Sequence, residues 1–206
     1  MSSVSEQTID QPPAGLAVDT SVVRYPPGDL AIWIFILAEL LVFAVFFTAY
    51  AFARVNHVEL FNEYQATLDR DAALINTIAL LTSSYFVIRG VVAAREGDNG
   101  LCARWLWTAV AMGAVFLVVK MTEYSHHFDE GVSLSTNTFY MFYLSLTFFH
   151  FMHVILGLVI LVAVALKAGR GGYSAQEHTG VETGASYWHM VDLVWLILFP
   201  LVYVMR

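Results

Sequence analysis

The chain has 206 residues, of which 58% are hydrophobic and only 13% charged, with a mean hydropathy of +0.65. That exceeds the apolar content of a soluble domain and predicts a polytopic membrane protein. A net charge of −7, with ten basic residues scattered along the chain, excludes nucleic acid as a partner, and a lone cysteine, Cys102, excludes an internal disulfide or a thiolate metal site.

Residues 1–28 are polar and acidic, carry Pro12-Pro13 and Pro26-Pro27, and lack the basic and apolar regions of a signal peptide. They are expected to form a flexible tail ending in a Pro-Pro-Gly turn, after which Asp29 caps the first helix. The stretch from Leu30 to Ala53 is apolar except for Glu39 and is long enough to cross a bilayer. A polar connector follows from Arg54 to Asp71, with a turn at Asn56-His57. The second span starts at Ala72; its uncharged core runs to Ile88 and the helix to Arg95. Its Asn76, Thr77, Thr82, Ser83 and Ser84 predict close packing among other helices.

The glycines of Glu96-Gly97-Asp98-Asn99-Gly100 fit a sharp reversal, and the third span then covers about 101–124. Lys120 and Glu123 fall at its far end, where long side chains are expected to snorkel to the headgroups. The fourth span begins after the capping cluster Ser135-Thr136-Asn137 and covers 138–167, with 29 uncharged residues from Thr138 to Leu166. A glycine-rich hydrophilic loop leads to the fifth span, 185–205. The expected fold is therefore all-α, a bundle of five transmembrane helices in a single domain, 29–206. Loops on the N-terminal side carry six basic residues (Arg24, Arg89, Arg95, Arg104, Lys167, Arg170) against four on the other (Arg54, Arg70, Lys120, Arg206). This asymmetry predicts a cytoplasmic N-terminus and an outward C-terminus.

Several residues could carry chemistry. Glu39, ten residues into an apolar helix, is costly unless protonated or paired, so it reads either as a proton-relay or ion-binding carboxylate or as a packing residue paired with histidine. His150 and His153, three apart, share one face of the fourth helix. They could ligate a metal or haem with a third ligand from His189, Asp192 or Glu39. No second pair of intramembrane histidines completes a haem–copper set, so hydrogen bonding to neighbouring helices is the favoured reading and no metal is expected. His189 and Asp192 are also three apart and could bond to each other, with Tyr187 and Trp188 suited to an interfacial belt. Glu123-Tyr124 closes the third span, where a solvated Glu would need no special role; otherwise Glu123 joins His150, His153, His189 and Asp192 in an intramembrane polar network.

Taken in order, Ala38-Glu39, Asn76-Thr77 with Leu80-Leu81 and Ser83-Ser84, Glu123-Tyr124, Phe149-His150 with His153-Val154, and Tyr187-Trp188-His189 with Val191-Asp192 and Val194-Trp195 resemble the cytochrome c oxidase subunit III family. The resemblance covers almost everything after residue 29. It implies a non-catalytic subunit in the bacterial inner membrane that stabilises the catalytic subunit of a haem-copper complex and supports proton uptake, with no cofactor of its own, haem and metal lying in partner subunits, and contact with membrane lipids. Glu39 matches the family's carbodiimide-reactive carboxylate. The family's long form has seven helices, and this chain resembles the short form that lacks the first two. Phe148 and Phe151 stand where the family usually has glycines, and Lys120 where the oxidase pattern often has Gln. With the stretches GDLAIWIFILAELLVF and ETGASYWHMVDLVWLILFPLVYVMR, these departures resemble the branch associated with nitric oxide reductase and denitrification. A true oxidase subunit III is the alternative. A small proton channel or transporter using Glu39, His150, His153 and Asp192 is a reading from another class, and an enzyme with its own metal site a third.

Overall fold

A computed structural model of the chain describes residues 28–205. The expected tail, save Gly28, lies outside the described residues. Six α-helices follow in order: α1 (Leu30–Asn56), α2 (Val58–Gln65), α3 (Arg70–Arg95), α4 (Asn99–Asp129), α5 (Thr138–Gly169) and α6 (Thr179–Phe199), the last running into one π-helical turn, Pro200–Val204. All but α2 are long and apolar enough to cross a membrane, α6 together with its π-turn, so the fold is an all-α bundle of five membrane-spanning helices.

Side-chain caps set several helix starts. Asp69 Oδ1 accepts from the amides of Asp71 and Ala72 at 3.0 Å, Asp98 from Leu101 at 2.8 Å and Asn137 from Tyr140 at 2.8 Å, satisfying amides that the first turn leaves free. Between α3 and α4 the chain reverses in three residues. Gly97 sits at φ 81° and the Asp98 amide returns to Ala93 O at 3.0 Å, the left-handed close that glycine permits.

Three stretches differ from the sequence reading. The connector after α1 contains α2, which lies across the end of the bundle because Phe61 and Gln65, four apart, present one buried face. Helix α4 continues beyond Tyr124 to Asp129; its 31 residues span about 46 Å, more than the hydrocarbon thickness. Helix α6 begins at Thr179, so part of the glycine-rich loop is helical. There Glu182 accepts from Arg95 Nη2 at 2.7 Å and from the Gly28 amide at 3.3 Å, tying the starts of α1 and α6 to the end of α3.

Helices α3 and α4 form the most extensive antiparallel pair, α5 and α6 close the core, and α1 lies on α5 and α6. Helix α1 buries only Ile36, Phe43 and Tyr50. Their spacing of seven makes a single narrow seam, which leaves most of this helix facing outward. The hydroxyl-rich face of α3 packs inward, where Ser83 Oγ donates to Ala109 O of α4 at 2.8 Å and Thr77 Oγ1 accepts from Trp195 Nε1 of α6 at 2.9 Å. Trp188 fills the gap between α4 and α5 at Gly113 and Gly157. A Cβ added there would stand 2.8 Å from the indole in either case.

Candidate functional site

The polar residues of the spans fall at two heights along the bundle. Nearer the α1 start, Glu39 Oε2 lies 3.0 Å from His153 Nε2, and His153 Nδ1 lies 2.8 Å from Phe149 O. A carbonyl only accepts, so Nδ1 carries the hydrogen, and the neutral ring would then accept at Nε2. The contact with Glu39 therefore holds one proton between the two groups, as carboxylic acid with imidazole or as carboxylate with imidazolium. Phe43 and Phe149 pack against the imidazole at 5.3 and 4.6 Å between ring centroids, and Tyr187 Oη donates to His153 O at 3.4 Å. The Glu39 side chain keeps 21% of its surface exposed at the α1–α5 edge.

Nearer the α1 end lies a cluster of which the sequence singled out only Glu123 and not its partners. Lys120 does not snorkel. Its side chain is fully buried, 3.0 Å from Glu123 Oε2, and its Nζ donates to Tyr203 Oη at 2.5 Å and Tyr143 Oη at 3.3 Å. Both tyrosine hydroxyls donate in turn to Glu123 Oε1, that of Tyr203 at 2.8 Å. The ammonium thus meets two tyrosine oxygens and Glu123 Oε1 takes both hydroxyls, while Oε2 is held by the ion contact with Lys120 and has no hydrogen-bond partner among the described residues. The rings of Tyr124, Tyr143, Tyr203 and Trp195 surround the ammonium at 5.0 to 5.9 Å. Glu123, for which the sequence left both a solvated place and a place in an intramembrane polar network open, is likewise covered. Snorkelling needs a free path to the headgroups, and here α5 and the π-turn block it.

The π-turn sets one side of this cage. It adds a residue to the last turn of α6 and so turns Tyr203 inward, while α2 fastens the freed Val202 carbonyl through Gln65 Nε2 at 2.7 Å. Arg54 Nη1 holds the other end of that amide, Gln65 Oε1, at 3.3 Å. The spacing of Lys120 and Glu123, with Tyr143 seven residues before His150 on α5, was a visible signal; Tyr203 could be assigned only once the π-turn was known.

His150 lies between the two heights, fully buried. Its ring stacks on Trp195 at 5.1 Å and meets Phe116 edge-on at 5.6 Å, and neither nitrogen has a hydrogen-bond partner among the described residues. The structure therefore brings Glu39 to His153 and not to His150. His189 is partly buried, and Asp192 is buried beside Ser84 with Oδ1 unpartnered among the described residues. Among the described residues, no three His, Cys, Asp or Glu side chains converge closely enough to hold one metal ion.

Residues 21–206 match the family described as cytochrome c oxidase subunit III. The chain is 34% identical to the cytochrome c oxidase subunit 3 of Thermostichus vulcanus, over 96% of this chain and 97% of that one, and 37% identical to that of a Synechocystis strain, over 84% and 73%. It is also 27% identical to the cytochrome bo(3) ubiquinol oxidase subunit 3 of Pseudomonas aeruginosa, over 84% of this chain and 82% of that one. With five membrane-spanning helices and a family match across almost its whole length, this chain is a multi-pass membrane protein that belongs to the cytochrome c oxidase subunit III family.

Proposed function

We propose that this protein is a non-catalytic subunit of a bacterial respiratory haem-copper oxidase, holding the catalytic subunit in the inner membrane while haem and metal stay in its partners. The N-terminus faces the cytoplasm and the C-terminus the outside, following the basic residues. One observation carries the reading against a proton channel. Between the Glu39–His153 pair and the Lys120–Glu123 cluster stand the rings of Phe43, Phe116 and Trp195, and His150 among them has no hydrogen-bonded neighbour among the described residues. A relay needs a continuous chain of donors and acceptors, and this one is interrupted. The partly exposed Glu39 at the lightly packed α1 edge is where a partner or lipid would complete the surface.

A second reading, a subunit accompanying nitric oxide reductase in nitrate-linked electron transport, rests on the resemblance of Lys120, Phe148, Phe151 and the stretches at 28–43 and 182–206 to that branch. The relatives named above are oxidase subunits, and they favour the first reading. The test is mild-detergent purification of the tagged chain from membranes grown with oxygen or with nitrate. An oxidase core co-purifying under oxygen supports the first reading, and nitric oxide reductase subunits recovered only under nitrate support the second. A lone colourless protein under both conditions rejects both. The separated subunit is expected to show no haem spectrum, and a visible spectrum retained after separation would overturn the non-catalytic assignment.

A further inference from the structure

A polar cavity of about 500 Å³ opens at the end of the bundle where α4 stops and α3 and α5 begin. Asp69, Glu123, His126, His127, Glu130 and Tyr140 line it. Asp69 caps α3 and Glu130 follows α4, so the mouth lies at the membrane boundary, and His126 and Glu130 are exposed there. At its floor sits Glu123, and behind Glu123 lies the fully buried Lys120. His127 stands one helical turn beyond Glu123 on the same face of α4. Its ring is held edge-on by Tyr140 and Tyr143 at 5.8 and 5.6 Å. Its Nδ1 is buried, lies 3.7 Å from Glu130 Oε2 and has no hydrogen-bond partner among the described residues.

We propose that this cavity is an aqueous vestibule through which the buried Lys120–Glu123 pair exchanges protons with one face of the membrane, with His127 as the relay. The step balances without an added reactant. The Lys120 ammonium gives a proton to Glu123 Oε2, leaving a neutral amine and a carboxylic acid. The acid proton passes to His127, which releases it through water to the mouth at Glu130, and a proton returning by the same route restores the ion pair. Tyr143 and Tyr203 keep Glu123 Oε1 hydrogen-bonded throughout. On the inner side the Trp195 ring, 5.9 Å from Lys120 Nζ and tethered to Thr77, closes the path. Exchange is therefore one-sided, and the cluster is a proton store rather than a channel.

The chain contains only two lysines, Lys120 and Lys167, so the full-length protein labelled with nitrogen-15 at lysine side chains, reconstituted in nanodiscs, gives two ammonium signals that a Lys167→Arg variant assigns. The hydrogen exchange of the Lys120 ammonium with water is then measured by magnetic resonance. It is expected to slow about a hundredfold in His127→Phe, which removes a positioned proton donor and acceptor, and also to slow in Thr122→Phe, which adds bulk to the cavity lining beside Glu123 on α4. The nitrogen shift of Lys120 reports whether the cage survives each substitution, and where one variant disturbs it the other decides. An exchange rate unchanged by the variant whose cage is intact overturns the proposal. So does an ammonium in the unsubstituted chain that fails to exchange on the timescale of the core amides.

Discussion

Glu39 and Glu123 are both carboxylates within apolar helices, yet their partners differ and so do the expected costs of losing them. In Glu39→Gln the new amide can still donate to His153 Nε2, so stability should fall by less than about 1 kcal/mol. In Glu39→Leu that buried acceptor is left unpaired, at a cost of about 1–3 kcal/mol. Unfolding in mixed micelles compares the two, and equal losses would show that the pair shares no proton. For the cage, Lys120→Met leaves Glu123 without its cation and should cost about 3–5 kcal/mol, while the double variant Lys120→Met/Glu123→Gln should recover part of that loss. A double variant no more stable than the single would count against a mutual interaction. Glu39 was legible because one charge in an apolar run stands out. Its choice of His153 over His150 was not, since both lie on one face and only the crossing of α1 over α5 separates them.

At the scale of elements, the contact of α4 with α5 and α6 depends on two glycines. A methyl at Gly157 would meet Trp188 at 2.8 Å, and one at Gly113 would meet Leu158 at 2.7 Å and Trp188 at 2.8 Å. Gly157→Ala and Gly113→Ala should each cost about 1–3 kcal/mol through overpacking. Trp188→Phe, which shortens the shared obstacle, should lessen the penalty of either, as a double-mutant cycle on thermal unfolding would register. Strictly additive losses would mean that the indole is not what the new methyls strike. The helices themselves were readable from apolar length and from the Asp and Asn caps. Helix α2 was not, because its buried Phe61 and Gln65 are too few to stand out in a polar stretch.

Across the whole molecule, the one thiol offers a reporter of opening. Cys102 is buried on α4, so a maleimide should label it only as fast as the bundle opens. Labelling should quicken in Lys120→Met and in Gly157→Ala and stay near the original rate in Glu39→Gln. Prompt labelling of the unsubstituted chain would show that the α3–α4 pair is looser than its packing implies. The same reagent tests assembly, since binding to a catalytic partner stabilises the folded bundle and should slow the reaction further.

The sequence by itself determined that this chain crosses a membrane five times, because a bilayer sets the length and polarity of each span independently of its neighbours. It also carried the family, through motifs such as Glu39, the two histidines of α5 and the Trp188-His189 to Trp195 stretch. Only the tertiary structure decided which polar groups meet. Lys120 reads as a snorkelling residue until Tyr143 and Tyr203 are placed around it, and His150 reads as the equal of His153 until Trp195 stacks on it. Partner choice at these depths depends on helix crossings, on a π-turn that rotates one tyrosine and on two glycines that admit one tryptophan, and these are relations between segments far apart in the chain.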